Sequence, residues 1–234
     1  MTVEIVFFDA GETILHPHPS FPELFAEVVA RRGVTSVDAS AVARVQAELA
    51  PHLVELAHET GVDRPSLSKE GSRRFWSHLY RAFLIRLGIE DEGLVGALYD
   101  TFSDSSSYRL YGDALPALQR LSEAGYRLGL ISNFEAWLEE MLVELEVGHV
   151  FDVTVISGLA GVEKPDPRIY AIALERAGVA PERAVHVGDS PALDIEPAQA
   201  VGMRAVLLDR WDRYPGMAPR IASLKELPDL VEDM

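Results

Sequence analysis

The constraint that narrows this chain most is an alternation of short apolar runs and amphipathic stretches along its second half. Apolar runs fall at Tyr126 to Ile131, Val153 to Ile156, Ala184 to Val187 and Arg204 to Leu208, and another, Val3 to Phe8, opens the chain. Each is bounded by polar residues or glycine, and β-branched or aromatic residues are common in them, as in buried strands. Helical patterns separate the later runs: Glu135 to Glu146, Pro167 to Ala177 with Gly178 as its stop, and about Leu193 to Ala200, ending before Gly202. Strands that alternate with helices imply parallel pairing with helices on both faces, so the expected fold class is α/β with a parallel sheet.

Residues 16–108 break that rhythm. They carry amphipathic helical stretches at Pro22 to Arg32, Ala39 to Ala57, Arg73 to Leu87 and Glu92 to Phe102, and no clear strand. The expected organisation is therefore a sheet-containing core from residues 1–15 and 109–234, interrupted by an all-helical insert of residues 16–108. Such an insert would form a lid over the C-terminal edge of the sheet, where open α/β sheets place their ligands. The segments His16 to Ser20 and Ser103 to Ser107 are read as its hinges. His16 and His18 have the spacing of a metal pair, but alternation with proline makes the segment extended and favours the hinge. Phe75, Trp76, Tyr80 and Phe83 recur at helical spacing, which points to the core of the insert.

Composition removes several function classes. The net charge of −16 argues against a nucleic-acid surface and requires any anionic substrate to meet locally concentrated positive charge. Only Lys69, Lys164 and Lys225 are lysines, which makes the place of each informative. The absence of cysteine rules out disulfides and thiolate chemistry. No apolar run has membrane-spanning length, and the N-terminal segment does not read as a signal peptide, so a cytoplasmic protein is expected.

The chemistry-bearing residues stand at strand ends. The first strand runs into Asp9, the second into Ser132 and Asn133, and the fourth into Asp189 and then Asp194, while Lys164 precedes a helix. If the strands are parallel, these groups meet at one edge. Each alone has a bland reading as a turn, a cap or a surface residue; the set in this order is chemically coherent. A carboxylate can act as a nucleophile and divide one hard step into two. Asp9 and Asp189 suit a hard cation such as Mg²⁺. Ser132 and Asn133 can donate hydrogen bonds to transferred oxygens, and Lys164 offers a compact positive charge.

Taken together, FFDAGET, LISN, GVEKPDPRIY and HVGDSPALDIEPAQAVGM resemble the motifs of the haloacid dehalogenase (HAD) superfamily, in its helical-cap, phosphatase-like branch (C1, subfamily I). The resemblance spans nearly the whole chain and implies a Rossmann-like core with a cap inserted after the first motif. It implies Asp9 as nucleophile, Ser132 as phosphoryl-binding group, Lys164 as charge stabiliser and Asp194 as a supporting acid. It further implies Mg²⁺ held by Asp9, Asp189 and the backbone carbonyl at Gly11, and a small phosphate ester or acyl phosphate as substrate. One position departs. Family phosphatases carry a second aspartate, the general acid and base, where this chain has Gly11. General acid–base catalysis is worth about 10²–10⁴-fold, so slow hydrolysis of alkyl esters is expected, or a leaving group that needs little protonation. Glu12, one residue on, is a candidate replacement weighed against a structural role. Three other activities stay open: a metal-free dehalogenase with Arg31 or Arg32 gripping its substrate, a Schiff-base phosphonate-cleaving enzyme using Lys69, and a non-catalytic binding protein.

Overall fold

Strands form where the apolar runs lie. In the computed structural model, which describes residues 2–234, the strands are β1 (Ile5–Phe8), β2 (Leu15–Pro17), β3 (Tyr108–Leu110), β4 (Arg127–Ser132), β5 (Val153–Ile156), β6 (Ala184–Gly188), β7 (Arg204–Leu208) and β8 (Arg220–Ile221). Six of these make one sheet in the order β5-β4-β1-β6-β7-β8, with every pairing parallel. In the middle, Phe8 at the end of β1 is level with Leu130 of β4 and Val187 of β6. The residues that follow these strands therefore emerge at one edge.

All four residues of β1 are fully buried, as a central strand covered on both faces requires. Ile5 and Phe7 share a cluster with Ile169, Tyr170 and Ala173 of the helix Pro167–Ala177. Their neighbours Val6 and Phe8 point to the other face by the two-residue period of a strand. The Phe7 ring lies so close to Gly129 of β4 that an added Cβ would sit 2.3 Å from it, which accounts for a glycine inside a central strand. The helix Ala114–Glu123 packs on β4, and Glu196–Ala200 packs on β7. The fold is a Rossmann-like α/β sheet flanked by helices.

The chain divides into two compact units, one of residues up to Leu15 together with Leu110–Met234, the other of His16–Arg109. Arg109, expected with the sheet, goes with the helices. The second unit contains the helices Phe21–Arg31, Ala39–Leu49, Leu53–Glu59, Lys69–Arg86 and Glu92–Phe102. Phe25, Tyr80, Phe83 and Phe102 are buried at its centre, with Phe21 packed against them, 5.0 Å from Phe102 and 5.4 Å from Phe83 between ring centres. Trp76 stays 39% exposed and stacks on Tyr80.

Several expected bounds shift for local reasons. The stretch Ala39 to Ala57 is two helices parted by a tight turn at Ala50–His52, where a proline lacks the N–H a continuing helix needs. The helix expected over Glu135 to Glu146 is only Leu138–Glu144. The stretch from Leu193 begins in a wide helical turn, Pro191–Ile195, before Glu196–Ala200. The hinge segment His16 to Ser20 overlaps β2, which pairs with β3, the strand that directly follows the hinge segment Ser103 to Ser107. Helix Ala114–Glu123 and the two-residue β8 were not anticipated.

One polar cluster ties the ends of the sheet unit together. The Asp113 carboxylate accepts two hydrogen bonds from the Arg210 guanidinium at 2.8 and 2.9 Å, one from Ser223 Oγ at 2.7 Å and one from the Leu224 N–H at 3.0 Å. Arg210 also donates to the Thr13 carbonyl at 2.9 Å and lies 3.9 Å from the Tyr111 ring centre. Burial alone would raise the Asp113 pKa, but the donors from Arg210 and Ser223 outweigh it and hold the carboxyl below its ordinary value. Asp113→Ala strands the Arg210 charge, so a loss of about 3–5 kcal/mol is expected in urea denaturation. A depressed pKa contributes stability that is present above the unfolded value and lost as pH falls, so the deficit of the variant should shrink toward acid pH.

Candidate active site

The edge at the ends of β1, β4 and β6 collects Asp9, Ser132, Asp189 and, after the turn Pro191–Ile195, Asp194. Lys164 reaches the same point from the loop before helix Pro167–Ala177. Its ammonium donates to Asp9 Oδ1 at 2.6 Å and to Asp194 Oδ1 at 2.6 Å. All three are buried, Lys164 at 3% exposure. Burial would favour the neutral amine, but the Asp194 and Asp9 carboxylates reverse this and raise the Lys164 pKa, so the group is an ammonium. Asp194 is held well below the carboxylate range: Lys164 and His186 overcome the cost of burial.

Asp194 owes its position to its turn. Its backbone N–H donates to the Ser190 carbonyl at 2.8 Å, and the Ser190 N–H returns a bond to Asp194 Oδ2 at 3.0 Å. The carboxylate lies flat over Gly188, where an added Cβ would be 2.2 Å from Asp194 Cγ. Glycine is therefore a packing requirement there. His186, fully buried in β6, brings Nε2 within 3.0 Å of Asp194 Oδ1, while Nδ1 has no hydrogen-bond partner among the described residues. Because Asp194 is ionised, Nε2 carries the proton and donates. The sequence reading missed His186; a polar residue at an inner position of an otherwise apolar strand, AVHVG, was the available signal.

Asn133 makes contacts that the sequence did not show. Its side-chain amide donates to the Lys164 carbonyl at 2.8 Å and accepts from the Lys164 N–H at 2.6 Å. Asn133 thereby positions Lys164, with the second N–H of its amide left over for another acceptor. Ser132, 1% exposed, ends β4 beside β1.

Asp9, Asp189 and Asp194 bring carboxylate oxygens within 4.8 Å of one another, the arrangement of a cation site. Asp189 is pushed up to about 8, first by burial and then by the charges of Asp194 and Asp9, with Arg213 opposing. Arg213 stands 3.5 Å from Asp189 Oδ2. Burial and Asp194 also raise Asp9, despite Lys164. The cluster is short of positive charge, and hard oxygen donors with that deficit suit a divalent cation. Beside it, Glu12 adopts a left-handed backbone with φ 56° and accepts a hydrogen bond from the Tyr111 hydroxyl at 2.6 Å.

Comparison with known proteins agrees with this architecture. A family model described as haloacid dehalogenase-like hydrolase matches residues 3–202. A glyceraldehyde 3-phosphate phosphatase of Methanopyrus kandleri is 32% identical, with 99% of this chain and 98% of the relative covered. A phosphoserine phosphatase of Thermus thermophilus is 29% identical, with 96% and 98% covered. Among solved structures, a 2-haloacid dehalogenase from Pseudomonas syringae superposes with a TM-score of 0.63 at 25% identity, covering 99% of each chain. The strand-end aspartate and its buried lysine thus sit in a chain matched along most of its length, and this protein belongs to the haloacid dehalogenase-like hydrolases.

Proposed function

We propose that the protein is a Mg²⁺-dependent phosphatase that acts on a small phosphorylated metabolite through an aspartyl-phosphate on Asp9. The observation that carries this is the meeting of Asp9, Asp189 and Asp194, with the buried Lys164 ammonium bonded to two of them. The phosphatase names of the two whole-length relatives support the same substrate class. Asp9, Asp189 and the Gly11 carbonyl would hold the metal, which supplies charge neutralisation for the transferring phosphoryl group.

The residues of the chain divide the remaining work. Asp9 attacks phosphorus, and the leaving group departs from the opposite side. Ser132 donates a hydrogen bond to a phosphoryl oxygen. Lys164, oriented by Asn133 and Asp194, offsets the charge that gathers as the nucleophile and phosphate approach. Asp194 keeps Lys164 charged and in place. Water then attacks the aspartyl-phosphate, and Asp9 is restored. The dehalogenase likeness gives a second reading, in which Asp9 displaces halide from a 2-haloacid without metal; the carboxylate trio, which calls for a cation, favours the phosphatase.

Hydrolysis of p-nitrophenyl phosphate should require Mg²⁺, stop with EDTA, and fall to background in Asp9→Asn. Turnover that survives EDTA, or Asp9→Asn at the wild-type rate, would sink this assignment, and 2-chloropropionate tested alongside covers the dehalogenase.

The raised Asp189 pKa has a stability consequence with a definite sign. An unfolded aspartate titrates near 3.9, and the folded metal-free group titrates at about 8. Between these values the folded state holds the extra proton, so stability falls as pH rises through the window. Thermal denaturation of metal-free protein should show Tm falling from pH 5 to pH 8, with a shallower slope in Asp189→Asn and a larger Mg²⁺ stabilisation at pH 8. An identical slope in the variant would place the charge cost elsewhere.

Gly188→Ala forces the Asp194 carboxylate to move. Displacing a positioned group by about 1 Å can cost on the order of 10²-fold in rate, so kcat for p-nitrophenyl phosphate should drop by that order. A wild-type kcat would mean that the position of Asp194 is unimportant.

A further inference from the structure

We propose, as a refinement that rests on the phosphatase assignment, that this site takes phosphoryl donors whose leaving group departs as a stable anion, acyl phosphates above all. The reason is that, among the described residues of the sheet unit, the ionisable side chains around the nucleophile are already hydrogen-bonded to one another or claimed by the cation.

The first observation is Gly11, two residues past Asp9. Its backbone is outside the left-handed region that favours glycine. An added Cβ would find nothing within 4 Å. Neither chain conformation nor packing therefore demands a glycine there, in contrast to Gly188, where both the neighbour and its distance forbid a side chain. The fold leaves room for a Cβ at position 11, and the chain carries none there.

The second observation is that the acids and the histidine described around Asp9 in the sheet unit are committed elsewhere. Glu12 is held by the Tyr111 hydroxyl, and Tyr111 is itself capped by the Arg210 guanidinium. Glu12 also lies outside the group of carboxylates whose oxygens approach within 4.8 Å. Asp194 is tied to Lys164 and His186, and Lys164 is shared between two carboxylates. His186 is fully buried and spends Nε2 on Asp194. Asp189 is claimed as a ligand to the cation.

The consequence for bond breaking is direct. When Asp9 bonds to the phosphorus of an acyl phosphate, the P–O bond to the acyl oxygen breaks and its electron pair leaves on a carboxylate. That product carries no proton at neutral pH, so none has to be delivered. An alkyl ester in the same step expels an alkoxide, which must collect a proton as it forms. In the second half, water bonds to the phosphorus, the bond to Asp9 breaks, and the products are the Asp9 carboxylate and dihydrogen phosphate, which passes its excess proton to solvent.

Acetyl phosphate and ethyl phosphate are matched in size and differ in this respect. Their hydrolysis with Mg²⁺ should be compared in wild type, Asp9→Asn, Gly11→Asp and Gly11→Asn. Wild type is expected to favour acetyl phosphate in kcat/KM by on the order of 10²–10⁴-fold, the range of a missing general acid. Gly11→Asp should raise the ratio of ethyl phosphate to acetyl phosphate kcat/KM on the order of 10²-fold, whereas Gly11→Asn, of the same shape without the acid, should not raise that ratio. A wild-type preference of about tenfold or less, or equal gains from Asp and Asn, overturns the proposal. If Gly11→Asp does not fold, wild type alone decides: kcat/KM over substituted phenyl phosphates should fall steeply as the phenol becomes less acidic, and a flat profile overturns it. Failure of the phosphatase assignment looks different, as no Asp9-dependent phosphate release from either substrate.

Discussion

The ammonium of Lys164 holds this site together. Three carboxylates gathered at one sheet edge would repel one another and draw in protons or disperse; one buried cation, bonded to two of them at 2.6 Å, makes the arrangement tenable. Removing a partner from such a cluster leaves an uncompensated buried charge. The surrounding structure accordingly restrains Lys164 at both ends, through Asn133 on its backbone and through Asp194 on its ammonium. Asp194 is restrained in turn by the Ser190 turn, His186 and the surface of Gly188. Even so the balance remains negative, and Asp189 registers the deficit as an affinity for protons that a divalent cation would satisfy.

A second, more exposed network sits on the other side of the first loop. Arg210, anchored by Asp113, lies against Tyr111, and Tyr111 grips Glu12, whose left-handed backbone is unusual for a residue with a side chain. Such a conformation costs energy and persists where surroundings over-determine it. The loop after Asp9 is thus set from one side by β1 and from the other by Tyr111 and Arg210, far along the sequence.

How far the sequence could be read depended on whether a feature was local. The strands of the parallel sheet were legible because burial on both faces writes a continuous apolar run, and the helix Glu92–Phe102 because its period and ends are plain. The residues at the strand ends were legible as a set because parallel strands must deliver them to one edge. Features that depend on partners distant in sequence were not. β8 is two residues whose place is defined only by pairing with β7. The grip of Asn133 on the Lys164 backbone was invisible because its partner comes 31 residues later. His186 sat within a motif already quoted, yet its role needs the turn that brings Asp194 back over β6. That Gly11 is unforced and Gly188 forced is a matter of three-dimensional clearance, which two glycines in a sequence do not distinguish.

The central place of β1 also bears on how the chain is made. Its flanking strands begin at Arg127 and Ala184, so β1 leaves the ribosome long before its second neighbour is made. At about 5–20 residues per second that interval is roughly 10–40 s. The apolar core of the helical unit, lying within Phe21–Phe102, is complete well before then. Until then the Ile-Val-Phe-Phe segment lacks a strand on one side, an apolar edge of the kind that favours aggregation while a chain is incomplete.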